Sequence, residues 1–127
     1  MAAKIRRILV AVRDFDRSSR GALLKAASLA ATSGARIELF HALEWPAGGR
    51  FAPYTADQRR RLERLAHIPA FAGLRVTAHL ERDYPPHQAI VRRALATKAD
   101  LVIATVQDPS RGGRLLLRNT DWELIRH

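Results

Sequence analysis

Asp100-Leu101-Val102-Ile103-Ala104-Thr105 is the stretch on which the fold turns. A short apolar run rich in branched side chains, followed by polar turn residues, is the pattern of a strand covered on both faces. A Gly112-Gly113 loop follows, then Thr120-Asp121-Trp122-Glu123-Leu124-Ile125-Arg126-His127. Thr120 and Glu123 have the spacing of a capping box, so the sequence predicts a last helix opening at Thr120. In a strand-turn-helix unit the loop after the strand is where phosphate binds. The glycines of this loop do not stand where a phosphate cradle most needs them.

Upstream of that strand, Pro85-Pro86 is suited to start a helix, because a missing N–H is harmless there. Ile90, Val91, Ala94 and Leu95 form its expected buried stripe. Leu74 to Leu80 alternates as a half-buried strand at a sheet edge does. Before it, Thr55-Ala56-Asp57-Gln58 predicts a helix start, with a thin apolar side (Leu62, Leu65, Ala66) and Arg59, Arg60, Arg61 and Arg64 over the rest. Pro69 ends that helix, and Trp45 to Tyr54 reads as irregular. Ile37 to Leu43 is a strand. Leu23, Ala26, Ala27, Ala30 and Ala31 recur at helical spacing up to Gly34, whose tolerance of the left-handed conformation suits a helix end. Asp16 or Ser18 can cap that helix. Ile8-Leu9-Val10-Ala11-Val12 is the first strand.

The order is therefore β-α-β-α-β-α-β-α, which predicts right-handed crossovers and an α/β domain with a parallel sheet between helical layers. A helix running to His127 leaves no fifth strand. The expectation is one domain over residues 1–127, cut before its last strand, with an apolar edge on strand four; either a second copy covers that edge or the chain is a fragment of a longer protein.

The 127 residues suffice for one domain with a core. No apolar run approaches the ~18 residues of a membrane span, and the basic start Lys4-Ile5-Arg6-Arg7 leads straight into a strand without a signal region. Zero cysteines excludes disulfide and thiolate chemistry and fits a cytoplasmic location. A formal net charge of +10 raises the prospect of an anionic partner. The basic residues are scattered and aromatic stacking surface is scarce, which speaks against nucleic acid. His41, His67, His79 and His87 lack metal-ligand spacing, and no nucleophile is tied to a base near Asp14, Asp16, Ser18 or Ser19.

Ile8 to Val12 with an acidic residue just after it, Gly34-Ala35-Arg36-Ile37-Glu38-Leu39, and Ala99 to Ile103 together resemble the universal stress protein family. Arg118-Asn119-Thr120-Asp121-Trp122-Glu123-Leu124-Ile125-Arg126 resembles the first half of its tandem-domain, UspE-type members. The resemblance implies a doubly wound open sheet of the adenine nucleotide alpha hydrolase-like kind, here in the order 3-2-1-4, and dimers that pair through strand five. In such a sheet, ligands bind at the carboxyl ends of the strands, where the connections reverse.

The resemblance also implies where this chain departs. ATP-binding members carry glycines two residues apart after strand four, then Gly-Ser or Gly-Thr after nine more residues. Here Ala104 and Gln107 stand at the two glycines, Asn119-Thr120 stands at the third element, and the interval is eleven residues. Arg13 stands where the adenine-facing aspartate is usual, with Asp14 next to it. The expected crevice residues are Asp14, Thr105, Gly112, Gly113, Arg114 and Thr120. Arg111, Arg114 and Arg118 near the amino end of the last helix can attract an anion. The expectation is a non-catalytic domain that acts through a homodimer or a second domain of the same family. It has a degenerate nucleotide site, no metal and no required cofactor. A working ATP switch and a basic nucleic-acid module are the alternatives.

Overall fold

The structure is a computed structural model that describes residues 5–12, 15, 20–43, 51–81, 86–105, 114–118 and 125–126. Four strands, β1 (Arg7–Ala11), β2 (Arg36–Ala42), β3 (Val76–Glu81) and β4 (Leu101–Thr105), alternate with three helices, α1 (Arg20–Ser33), α2 (Phe51–Leu65) and α3 (Pro86–Thr97). Two further strands follow, β5 (Arg114–Arg118) and β6 (Ile125–Arg126). The sheet order is β3-β2-β1-β4-β5-β6. β1 to β4 run parallel in the expected 3-2-1-4 order.

Alternation along the strands divides the core into two. Ile8, Val10, Ile37, Leu39, Leu101 and Ile103 face α1 and α2. Leu9, Phe40 and Val102 face the other way, onto Ala89 and Ala94 of α3. Strands buried on both faces read as continuous apolar runs because neither side meets water. β3 sits at the edge, and its residues are half-buried or exposed, as its alternating sequence requires.

Small residues let α1 lie close to the sheet: Ala22, Leu23, Ala26, Ala27 and Ala30 are buried. Ala31, expected among them, is exposed because it stands one step round the helix. Gly34 adopts φ +75° and its N–H closes on the Ala30 carbonyl at 2.8 Å, ending α1 as the sequence indicates. α2 starts at Phe51, four residues before the expected Thr55. Pro53 is no obstacle, since the first-turn N–H groups have no partner within a helix. The helix ends at Leu65, and Pro69 opens a separate 3₁₀ turn, Pro69–Phe71.

α3 is rotated from the expected stripe. Ala89 and Ala94 are buried, whereas Val91 is 37% and Leu95 58% exposed. At its end Lys98 takes φ 57°, with Ala99 N–H donating to Ala94 O at 2.9 Å and Lys98 N–H to Leu95 O at 3.3 Å. These two bonds make a Schellman-type stop.

The largest departure follows β4. The edge of β4, expected to be bare, is paired antiparallel by β5, with Val102 opposite Leu117 and Ala104 opposite Leu115. Ile125 and Arg126, expected in a last helix, pair with Leu116 and Leu115 instead. A capping box nominates a helix start, but an isolated segment of about eight residues is far below self-sufficient helix length. Open N–H and C=O groups on a sheet edge offer the alternative partner.

Candidate functional site

The parallel connections reverse direction at β1: β2 and β3 build outward on one side, and the chain then crosses to β4 on the other. A crevice at the carboxyl ends of β1 and β4 follows from that reversal. Its described floor is Ala11 and Val12 from β1 and its exit, and Ala104 from β4, all buried. Ala11 and Ala104 are register partners across the β1–β4 ladder.

Of the six expected crevice residues, the structure brings two together. Thr105 and Arg114 stand opposite each other across the β4–β5 ladder. Asp14, Gly112, Gly113 and Thr120 lie outside the described residues, as do Arg13, Gln107, Arg111 and Asn119.

His41 is a neighbour that the sequence did not single out. It lies on β2 and is only 7% exposed. Its Nδ1 lies 2.6 Å from the Val12 carbonyl oxygen. A carbonyl only accepts, so Nδ1 carries the proton. The ring also packs on Phe15, with centroids 4.8 Å apart. Val12 N–H in turn donates to Phe40 O at 2.7 Å. His41 thus ties the carboxyl end of β2 to the start of the loop after β1. Its position between Phe40 and Ala42, near the end of a mainly apolar strand, was the available sign, since a polar residue there needs an internal partner.

Nearby, His79 stacks on Phe40 at 5.9 Å and approaches Glu81 at 3.3 Å. Among the described residues, no group of three or more His, Cys, Asp or Glu side chains is placed to hold a metal ion. No described helix is long and apolar enough to cross a membrane.

A two-pronged ion pair lies farther down the sheet. Arg93 Nε and Nη2 donate to Glu38 Oε1 and Oε2 at 2.7 and 3.0 Å. Hydrogen bonding to Glu38 holds the Arg93 guanidinium above its ordinary pKa; partial burial opposes this, and the charges of Glu38 and Glu81 add to it.

Comparison with solved structures supports the fold. A universal stress protein from Archaeoglobus fulgidus aligns with a TM-score of 0.69 at 24% identity, covering 82% of this chain and 77% of that one. A universal stress protein from the same organism, in complex with dAMP, aligns at 0.66 and 22%, covering 83% and 84%. A universal stress protein in complex with cAMP aligns at 0.63 and 22%, covering 79% and 75%. No curated protein matches the sequence. The model of the universal stress protein family matches residues 4–127. With that match over nearly its full length, and with the 3-2-1-4 parallel sheet beneath it, the chain belongs to the universal stress protein family.

Proposed function

We propose that this chain is a non-catalytic universal stress protein domain of the cytoplasm, working through contacts with a second copy or a second domain of its family. Its crevice, around Asp14, Thr105, Gly112, Gly113, Arg114 and Thr120, is a degenerate nucleotide site. The observation that carries this is Ala104. It is buried in a ladder with Ala11 on one side and Leu115 on the other. The family pattern puts its first glycine at this position, and a glycine there lets a phosphate approach the backbone. A Cβ at that point, and the antiparallel pairing of β5 along β4, both work against a triphosphate cradle, so the residues present do not fit ATP well. The tandem-domain likeness of Arg118 to Arg126 favours a second domain of the same kind as companion.

Calorimetry with magnesium and ATP at about millimolar concentration tests the site. The expected result is no saturable heat; a dissociation constant of about micromolar overturns it. Light scattering tests the companion, with a dimer expected; a monomer at every concentration, together with no binding to a second family domain, overturns that part.

A second reading is an adenine-nucleotide switch. The cAMP and dAMP complexes of two structurally similar proteins favour it. The same calorimetry decides, because this reading requires the micromolar result.

A further inference from the structure

At the opposite rim of the sheet, where the parallel strands begin, the geometry points to a binding site for a small polyanion bearing two or more phosphate-type groups. This inference is independent of the crevice and uses none of its residues. Arg7 and Arg36 are register partners on β1 and β2. Arg75 is next in that row, because Val76 pairs with Ile37 and the Arg75 carbonyl accepts from Ile37 N–H at 2.9 Å. Register partners in a sheet share a face. Three guanidinium side chains therefore leave the same face of three adjacent strands, each strand roughly 4.8 Å from the next.

All three line one cavity of about 450 Å³, together with Glu38, Thr77 and Thr97. Like charges in directly opposed positions destabilise a sheet, so an arginine row needs a compensating charge. Among the described residues, the only carboxylate lining the cavity is Glu38, and both of its oxygens are taken by Arg93. Asp100 lies behind the row, where its Oδ2 accepts the backbone N–H groups of Arg6 and Arg7 at 2.8 and 3.1 Å. Arg7 spends one N–H on the Thr97 carbonyl at 2.6 Å, at the end of α3. That contact fixes one wall of the cavity and leaves the rest of the Arg7 fork available. Among the described residues, Arg36 and Arg75 have no acidic partner.

Forked guanidinium donors bind phosphate oxygens in pairs, and the exposed Thr77 hydroxyl adds a neutral donor. The size of the cavity suits a small molecule. Several charges in a row about two strand spacings long suit a chain of linked phosphates better than a single carboxylate.

The test is a titration of the whole chain with inorganic tripolyphosphate, followed by calorimetry and by amide chemical shifts. One stoichiometric, salt-sensitive binding event is expected, with shifts at residues 6–7, 36–38, 75–77 and 97–99. The R36S/R75S variant is expected to weaken binding about tenfold or more. The charge-matched R59S/R60S variant, on the exposed face of α2, is expected to change it less than about twofold. Equal weakening by both pairs, shifts gathered at Val12 and Thr105, or no saturation overturns the assignment. The shift map of the unmodified protein decides the matter even if R36S/R75S folds poorly.

Discussion

Arg93 on α3 grips Glu38 on β2 with two parallel hydrogen bonds of 2.7 and 3.0 Å, and this pair ties the helix to the sheet. Bidentate pairing of partly buried groups is the strong form of an ion pair. Removing one member leaves the other charge in a half-dry place.

Glu38→Gln is therefore expected to cost about 1–3 kcal/mol in urea unfolding, and a double-mutant cycle with Arg93→Gln should show coupling. Arg93 has its pKa raised by the pair. A raised basic group contributes fully below its unfolded pKa, and the contribution is lost only as pH climbs through the folded value. For arginine both values lie far above the working range. The coupling energy should be the same at about pH 7 and about pH 10, and a loss of coupling between them contradicts this account.

Lys98→Gly is expected to stabilise the protein by about 1 kcal/mol. Lys98 holds φ 57° in the Schellman turn, where a Cβ is strained and a glycine is not. Thermal unfolding should rise by several degrees. An unchanged or lower midpoint sinks the prediction.

Leu62 and Leu95 form a contrast. Leu62 is completely buried and anchors α2 to the core, so Leu62→Ala should cost about 2–5 kcal/mol. Leu95 faces outward, and Leu95→Gln should stay within about 0.5 kcal/mol of wild type. Chemical denaturation of both variants reads this directly. A large cost at Leu95 means that its face is covered.

Ala104→Gly combined with Gln107→Gly restores the two glycines of the family's phosphate loop. If the crevice has lost its ligand through crowding there, the double variant should gain saturable heat with magnesium and ATP that the parent lacks. Glycine inside a strand lowers stability by about 0.5–1 kcal/mol, so the melt should be checked alongside. No gain in binding shows that other positions, beginning with Arg13 and Asn119, close the site.

Most of the fold was legible because strands buried on both faces leave mainly apolar runs. Ile8 to Val12, Ile37 to Leu43 and Leu101 to Thr105 each contain a strand within a residue of the expected bounds. The alternating Leu74 to Leu80 segment announced an edge. α3 was harder to orient, since Ile90/Ala94 and Val91/Leu95 are both apolar pairs at helical spacing, and only the packed sheet face, with Leu9, Phe40 and Val102 against Ala89 and Ala94, distinguishes them. β5 was not legible at all. Leu115-Leu116-Leu117 between arginines has no strong local preference, and its pairing depends on the edge that β4 presents. The sequence placed the crevice through topology. The described residues join only Thr105 to Arg114 within it, and His41 went unmarked because its hydrogen bond spans 29 positions of chain.

The β4–β5 ladder has one more effect. Thr105 and Arg114 share one rung of this ladder, so the sheet holds them together whatever sequence joins them. Insertions or exchanges between positions 105 and 114 are expected to leave the strand alignment on either side untouched. Sequence can vary at this point while the scaffold stays as it is.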